Sequence, residues 1–344
     1  MNSITDTGLL PLWQGESPLR CIGRHEETPD SATFVLASDQ PVRFAYRPGQ
    51  FILVNVEIDG KKHCRAYSLC SSPSRPDKLA ITVKRVPGGL VSNWLLDHLQ
   101  PGQLVAAGAP AGEFYLQTEA VPQEVVLLSS GCGITPMLSM SQWLLDNGGR
   151  TTIRFIHSAR DLENVIFREE LLSLASRYEN FHLELVLSRG GPNPSRLTQA
   201  RLAELVPNVQ GAQAYLCGPQ EYMDQSADWL QQMGFPADQI FKEDFSPAAA
   251  QSCAVTDAYF QLEVPKFGKN TTISEGETLL DALEREGLPI IGACRTGVCG
   301  ACKCKVTSGQ VTSTSESSLT PDEIAAGYVL ACSTRAKSDL SVEL

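Results

Sequence analysis

The 344-residue chain contains no apolar run that approaches the about 20 residues of a membrane-spanning helix. Its first residues also lack the basic, apolar and small-residue series of a secretory signal. Lysine and arginine are in the minority, at 28 against 39 acidic residues, so the net charge is −11. Because nucleic-acid binding depends on clustered positive charge, we expect a cytoplasmic protein that binds neither membranes nor nucleic acid.

Cysteine is sparse along most of the chain, and its distribution argues against a disulfide framework. There are 11 cysteines, an odd number, and no secretory signal accompanies them. The last five are concentrated near the carboxyl end, at Cys294, Cys299, Cys302, Cys304 and Cys332. This concentration indicates a metal or redox site in that part of the chain.

The spacing of four of these thiols is specific. Cys294 is followed by four residues, Cys299, two residues, Cys302 and, after a gap, Cys332, which is the plant-type [2Fe-2S] pattern. Structural zinc usually takes its ligands as two close Cys or His pairs, which differs from this spacing. A zinc site is kept as the alternative. The extra thiol, Cys304, is two residues beyond Cys302 on a predicted strand, and we expect it to be a small buried hydrophobe.

Glycines within the same stretch, CRTGVCGACKC, suit a cluster-binding loop. Gly297 and Gly300 permit tight turns in which backbone amides face the sulfur atoms and stabilise negative charge.

Hydrophobic patterning divides the chain into three parts. Short alternating runs from Leu19 to Leu116, interrupted by a helix at 90–99, predict an antiparallel barrel. Apolar strands then alternate with amphipathic helices, which predicts a doubly wound parallel sheet. We expect an extension at 1–17, a barrel at 18–118, a doubly wound domain at 119–247, a linker at 248–257 and a small α+β domain at 258–344.

Two motifs in the doubly wound part are candidates for a nucleotide site. GCGITP, residues 131–136, follows the strand VVLLSS and opens a helix, where a helix amino terminus attracts a pyrophosphate. Thr135 is predicted to cap that helix, with Pro136 at its first position. Cys217 and Gly218, in YLCGPQEYM, follow the last strand at the carboxyl edge of the sheet, where such sheets bind ligands.

In the predicted barrel, RAYSLCSSP places Arg65 and Tyr67 two residues apart on one strand. They therefore face the same way, where a cation can hold a phosphate and an aromatic ring can pack on a flat heterocycle.

In this order, RAYSLCSS, GCGITP and CGPQEYM resemble the ferredoxin-NADP reductase superfamily, in which a flavin-binding barrel precedes a nicotinamide-binding domain. The carboxyl-terminal part resembles plant-type ferredoxins, which implies a β-grasp fold. The same resemblance implies that Cys294 and Cys299 hold one iron, while Cys302 and Cys332 hold the other.

The resemblance also implies the residues of both nucleotide sites. It places Ser68 near the flavin N5 and Tyr67 against the ring system, and it favours FAD over FMN. The implied flavin contacts are Arg65, Tyr67, Ser68, Val83, Lys84, Gly89, Leu90, Val91 and Ser92. The implied nicotinamide contacts are Gly131, Gly133, Ile134, Thr135, Pro136, Cys217 and Gly218. Glu243 and Phe245, from KEDF, are placed close to the flavin, and the candidate catalytic residues are Ser68, Cys217 and Glu243.

The choice of nucleotide depends on two strand-end arginines. Arg189, after LELVLS, lies where NADP-specific relatives bind the 2′-phosphate, and Arg160 is close to it in the sheet order. Both would favour NADPH if they bind phosphate, but such arginines also occur as solvated charges in NADH-using relatives. We expect NADH, with NADPH as the alternative.

Together the three parts predict an electron-transfer oxidoreductase. A nicotinamide delivers two electrons as hydride, a [2Fe-2S] centre accepts one at a time, and a flavin converts between them. The tail most resembles the NADH reductases that serve hybrid-cluster protein, which is the acceptor we expect. A Rieske-type oxygenase of the betaine or carnitine class is the alternative acceptor, and a redox-sensing or docking module or a zinc-tailed flavin reductase is the alternative function.

Overall fold

The computed structural model describes residues 10–15, 17–190, 195–243, 245, 259–295, 297, 299–316 and 318–344. It divides into two compact units, Met1–Val56 with Tyr67–Phe245, and Glu57–Ala66 with Ser246–Leu344. The predicted linker at 248–257 lies outside the described residues. The predicted boundary at residue 118 stays a prediction, because it falls inside the first unit. No helix of the described part is long and apolar enough to cross a membrane.

An antiparallel sheet forms the first half of the first unit. Its elements are β1 (Leu19–Thr28), β2 (Ser31–Ala37), β3 (Phe51–Ile58), β4 (Lys61–Ser68), β5 (Leu79–Lys84), α1 (Leu90–His98) and β6 (Leu104–Ala107). The strands follow the order β4-β3-β6-β1-β2-β5. Just after β4, Leu69 bridges Ile81 of β5, so the two ends of the sheet meet and the predicted barrel is confirmed.

The described part of the predicted amino-terminal extension packs on this barrel. Trp13 is buried, its ring contacts Phe44 at a centroid distance of 5.3 Å, and its backbone N–H donates to the carbonyl of Arg43 at 3.1 Å. A tryptophan buried in this way contributes apolar area to the barrel core.

The second half of the first unit is a parallel sheet covered on both faces. Its elements are β7 (Glu124–Ser130), α2 (Ile134–Asp146), β8 (Thr152–Ala159), α3 (Arg168–Arg177), β9 (Phe181–Leu187), α4 (Gln199–Leu205), β10 (Ala212–Cys217), α5 (Gln220–Gln232) and β11 (Ile240–Glu243). The order is β11-β10-β7-β8-β9, and every pair is parallel. The predicted doubly wound domain is confirmed.

Strand β7 shows why both faces of this sheet are covered. Val125 and Leu127 join the core that contains α2, whereas Val126 and Leu128 join the core that contains α5. Alternate side chains point to opposite faces, so a continuous apolar strand requires a helix on each side. The chain leaves β7 towards β8 and later returns to β10 on the other side, which makes the β7–β10 crevice the topological switch point.

The second unit has the predicted ferredoxin-like topology. Its later part consists of β12 (Tyr259–Val264), β13 (Lys269–Ser274), α6 (Leu279–Arg285), β14 (Lys303–Ser308), β15 (Val311–Ser313), α7 (Pro321–Ala325), β16 (Tyr328–Leu330), β17 (Thr334–Ala336) and β18 (Leu340–Glu343). The main sheet follows the order β13-β12-β18-β14-β16, and β15 pairs with β17. Helix α6 begins at the Thr278 cap, whose hydroxyl accepts the Asp281 N–H, and it packs its leucines against the sheet.

Candidate functional site

The turn after β7 has the backbone of a nucleotide-binding loop. Gly131 takes a φ of 58°, and residues Gly131–Gly133 form a short 3-10 turn that leads directly into α2. The cap predicted for Thr135 is wrong: Gly133 holds the cap position, and the Thr135 hydroxyl donates back to the Cys132 carbonyl at 3.0 Å. The 3-10 turn starts the helical path earlier, so Ile134, Thr135 and Pro136 all lie in the first turn of α2, and all three are buried.

Gly133 brings the two nucleotide motifs into direct contact. A Cβ on Gly133 would lie 2.2 Å from the carbonyl oxygen of Cys217 and 2.9 Å from the N of Gly218. The φ of Gly133 is −62°, so glycine is needed here for the close approach and not for an unusual dihedral angle. GCGITP and CGPQEYM therefore meet at the switch-point crevice, as the sequence motifs predict.

A row of polar side chains crosses the carboxyl edge of the parallel sheet. In register, Cys217 is paired with Glu243 on one side and with Ser129 on the other, and Ser129 is paired with His157. Paired residues of adjacent strands face the same way, so these four side chains line one face. The sequence prediction contains Cys217 and Glu243 but misses Ser129 and His157, whose only sequence signal is a polar residue at the end of an apolar strand.

Ser68 reaches this row from the barrel. Its hydroxyl donates to the Glu243 carboxylate at 3.3 Å, and both residues belong to the first unit. Glu243 keeps partial exposure as a residue, but burial of its carboxyl raises its pKa to about 8, and the bond from Ser68 only partly offsets this. The three predicted catalytic residues, Ser68, Cys217 and Glu243, are thus brought together. The pKa of the Glu243 carboxyl lies close to neutral pH.

His157 is held as a neutral imidazole at the other end of the row. It is fully buried, its Nδ1 shares a hydrogen bond of 2.9 Å with the Ser129 hydroxyl, and its Nε2 has no partner among the described residues. Burial lowers the pKa of His157 to about 3. His157 therefore adds a polar group to this edge without adding charge.

The other predicted flavin residues lie along β4, β5 and the start of α1. Val83 and Val91 are buried, and Leu90 is half-exposed. The Lys84 ammonium pairs with Asp30 at 2.8 Å, and the Ser92 hydroxyl accepts the Val86 N–H at 3.4 Å. At Gly89 a Cβ would crowd both residues, at 2.7 Å from Ser92 Oγ and 2.8 Å from Val86 Cβ.

Arg65 and Tyr67 both lie on β4, two residues apart, but they belong to different units. Arg65 lies in the second unit, where its Nη1 donates to the carbonyls of Cys64 at 2.7 Å and of Gly292 at 3.0 Å. Tyr67 lies in the first unit and is partly buried. The guanidinium of Arg65 is therefore engaged with the backbone that leads into the cysteine loop, and its predicted flavin contact stays a prediction. Phe245 is exposed, and its predicted contact with the flavin likewise remains untested.

The two strand-end arginines lie side by side. The N–H of Arg189 donates to the carbonyl of Arg160 at 2.6 Å, next to a bond of 3.0 Å from Ser188 to Ala159. Both side chains are exposed, and neither takes part in a salt bridge with any described residue. The two guanidinium groups could therefore bind a nucleotide phosphate or remain solvated, so the choice between NADH and NADPH stays a prediction.

Four thiols meet in the second unit. The Cys299 thiol donates a hydrogen bond to Cys294, which raises the pKa of Cys299, and the hydrogen bond from Cys332 lowers the pKa of Cys302. Hydrogen bonds to Cys294 and Cys302 also raise the pKa of Cys332, so all four sulfurs lie together. No group of three or more ligating side chains in the described residues is arranged for a single metal ion. Cys294 contacts both Cys299 and Cys332, and Cys302 contacts Cys332, so the four thiols fit the donor set of a binuclear cluster, while the division of the thiols between the two irons stays a prediction.

Hydroxyl groups and glycine backbone fix the loop that carries these thiols. The Ser315 hydroxyl donates to the Gly297 carbonyl at 2.7 Å, and a Cβ on Gly297, whose φ is 78°, would lie 2.6 Å from Ser315 Cβ. Arg295 takes a φ of 58°, and its guanidinium pairs with Asp281 at 3.1 Å and with Glu284. The sequence prediction includes the glycines but misses Ser315 and the Arg295 anchors.

Cys304 lies on β14 and is buried, as predicted from its spacing. Burial raises its pKa to about 12, so it remains a neutral thiol.

Comparison with known proteins agrees with all three parts. Residues 18–115 match the oxidoreductase FAD-binding domain, residues 127–228 the oxidoreductase NAD-binding domain and residues 264–337 the 2Fe-2S iron-sulfur cluster binding domain. The glycine betaine monooxygenase reductase subunit of Pseudomonas aeruginosa is 35% identical, over 96% of this chain and 95% of that protein. This chain belongs to the iron–sulfur flavoprotein reductases of the ferredoxin-NADP reductase superfamily.

Two further members of this reductase family support the assignment. NADH oxidoreductase HCR of Escherichia coli is 35% identical, over 92% of this chain and 94% of its own length. The structure of phthalate dioxygenase reductase aligns with a TM-score of 0.67 and 25% identity, over 96% of this chain and 100% of that one. The reductase described here is accordingly an NAD(P)H-dependent oxidoreductase with FAD, NADH and a [2Fe-2S] cluster as its cofactors, and the zinc alternative is not supported.

The pKa of Glu243 predicts how flavin reduction depends on pH. The carboxyl is neutral below about pH 8 and ionised above it. At the place predicted for Glu243, close to the flavin, an ionised carboxylate would disfavour the arrival of a hydride, so we expect the rate of flavin reduction by NADH to fall about tenfold as pH rises through 8. Glu243→Gln should keep the rate measured at pH 6 and remove this fall. Stopped-flow absorbance at the flavin band measures both, and an unchanged inflection in the variant would assign it to another group.

Proposed function

We propose that the electron acceptor of this reductase is the oxygenase component of a Rieske-type monooxygenase that acts on a betaine-like substrate. The support is the extent of similarity: glycine betaine monooxygenase reductase subunits from two genera match 96% of the chain at 35% and 36% identity. The stachydrine N-demethylase reductase subunit of Rhizobium meliloti adds a third type of relative, at 31% identity over 97% of the chain. Each of these relatives is a reductase subunit.

Hydride entry is assigned to the crevice between β7 and β10. Gly133 permits the nucleotide loop to lie against Cys217 and Gly218, and the positive end of the α2 dipole favours a pyrophosphate at this turn. Cys217 stands between Ser129 and Glu243 at the carboxyl edge of the sheet, where the two flat rings would stack. When bound, the nicotinamide supplies the hydride, the flavin converts it into single electrons and the iron–sulfur cluster passes these on.

The protein groups in this crevice bind, orient and hold a proton. The Ser68 hydroxyl donates a hydrogen bond to the Glu243 carboxylate. A proton could therefore pass between these two groups along this bond. His157 stays neutral and so adds no positive charge that would repel the cationic ring of an oxidised nicotinamide. No side chain in the crevice needs to act as a nucleophile, because the reaction is an electron transfer that depends on position.

Hybrid-cluster protein is the second candidate acceptor, because NADH oxidoreductase HCR reaches the same 35% identity over 92% of the chain. The two candidates are distinguished by a direct comparison of the rates at which each acceptor is reduced. The holoenzyme would be reduced with NADH under anaerobic conditions and mixed with purified oxygenase component or hybrid-cluster protein, and the rate of acceptor reduction recorded.

We expect kcat/KM for the oxygenase component to exceed that for hybrid-cluster protein by at least about tenfold. The reverse order would replace the first candidate with the second. Reduction of the flavin with no onward transfer to cluster or acceptor would instead indicate a redox sensor. Cytochrome c serves as the control, because it reports electron exit without specific docking.

A further inference from the structure

A strained backbone position marks the start of α3. Phe167 has a φ of 59° and a ψ of 25°, a left-handed conformation that bulky residues rarely adopt. Glycine would suit this dihedral angle, but the Phe167 side chain is buried in the core beside α2. Such conformations persist where the surrounding structure holds them and often accompany function.

The contact that holds Phe167 comes from the barrel. The Phe167 N–H donates to Oε2 of Glu27, on β1, at 3.2 Å, and no side chain caps the helix from its own segment. A carboxylate at a helix amino terminus is also favoured by the helix dipole. Glu27 therefore ties the nucleotide-binding half of the first unit to its barrel half by a hydrogen bond and by charge.

The same carboxylate continues into a buried hydrogen-bond network. The Thr33 hydroxyl donates to Oε1 of Glu27 at 2.7 Å, and Thr33 shares a bond of 2.8 Å with the hydroxyl of Thr82 on β5. The carbonyl of Thr82 in turn accepts the Cys132 thiol, in the nucleotide loop, at 3.7 Å. One chain of contacts thus joins the start of α3 to the loop that GCGITP forms.

This network reaches both sides of the predicted hydride-transfer site. Val83 and Lys84, predicted to contact the flavin, directly follow Thr82, and Cys132 lies between the two glycines of the nucleotide loop. Hydride transfer requires the two rings at a fixed short separation, and a displacement of about 1 Å can cost ~100-fold in rate.

We propose that Glu27 is a positioning residue for hydride transfer, which holds the nucleotide-binding half against the barrel so that nicotinamide and flavin stack at the reactive distance. The inference goes beyond the family assignment and does not depend on the identity of the acceptor. It predicts an effect on the step between NADH and FAD, and none on the later step from flavin to cluster.

The test compares three variants of the holoenzyme on strand β1. Glu27→Ala removes both bonds, and we expect it to slow flavin reduction by saturating NADH about tenfold. Glu27→Gln can accept from Phe167 through its oxygen and donate to Thr33 through its nitrogen, so it should stay within about twofold of the native rate. Glu26→Ala is the matched control, because Glu26 is exposed and pairs with Arg24 on its own strand.

Two further measurements separate positioning from general stability. FAD content and the rate of cluster reduction after photochemical reduction of the flavin should be unchanged in Glu27→Ala. A native rate of flavin reduction in this variant, or an equal loss in Glu27→Gln, overturns the proposal. If Glu27→Ala does not fold, Thr33→Val decides the question: a loss of about threefold supports the proposal, and a native rate overturns it.

Discussion

Cys302→Ala is expected to abolish electron delivery while leaving the flavin reducible by NADH. Cys302 is buried, its sulfur accepts the Cys332 N–H at 3.4 Å, and its thiol is hydrogen-bonded to Cys332. Loss of one of four thiolates leaves an iron without its ligand, so the cluster should not assemble. We expect acceptor reduction to fall by at least about 100-fold while the hydride step remains, because Cys302 belongs to the second unit, whereas Gly133 and Cys217 belong to the first.

Cys304→Ala is the matched control for this result. Cys304 is also buried and lies two residues further along, but its neighbours are those of a core residue on β14. The control should keep the full iron content and the paramagnetic signal after reduction, with a stability loss of about 1 kcal/mol from the lost packing. If Cys304→Ala lost the cluster and Cys302→Ala kept it, the ligand set would have to be reassigned.

Gly133→Ala is expected to block flavin reduction by NADH. A methyl group at this position would lie 2.2 Å from the Cys217 carbonyl oxygen and 2.4 Å from its carbon, and both are backbone atoms. The nucleotide loop or the end of β10 must therefore move, and a shift of about 1 Å at the site of ring stacking can reduce the rate ~100-fold. Stopped-flow measurement of flavin reduction over a range of NADH concentrations would show both weaker binding and a lower limiting rate.

Gly276→Ala serves as the control for the glycine substitution. Apart from its chain neighbours, no atom of the described residues lies within 4 Å of the position that its Cβ would take, so this change should leave flavin reduction unaltered. Bound FAD and the cluster absorption should be retained in Gly133→Ala, since the substitution lies in the nucleotide loop. A native limiting rate in this variant would show that NADH does not use the crevice between β7 and β10.

Features that depend on neighbours along the chain could be predicted from the sequence. The thiols Cys294, Cys299 and Cys302 lie within one short loop, so their spacing alone indicates the cluster. The apolar strand before Gly131 and the periodic residues after it likewise specify a strand, a turn and a helix. The three-part order of barrel, doubly wound sheet and ferredoxin-like domain followed from the same local patterns, and the structure and the relatives confirm it.

Features that depend on register and on contacts between distant segments required the tertiary structure. Ser129 and His157 join the polar row only because β7 and β8 are paired at that register. Glu27 reaches Phe167 across 140 positions of sequence. The cap prediction for Thr135 is wrong because a 3-10 turn moves the start of the helix. Trp13 packs on the barrel through a contact with Phe44, which its position in the sequence does not indicate.

The sequence by itself therefore determined the cofactor classes and the order of the three parts, because both are encoded in short segments whose chemistry and periodicity are local. The tertiary structure decided which polar groups lie together at the carboxyl edge of the parallel sheet and which contacts join the start of α3 to the barrel. The physical reason is that strand order, register and the close approach of backbones at Gly133 are set by packing of the whole core, which no single segment encodes.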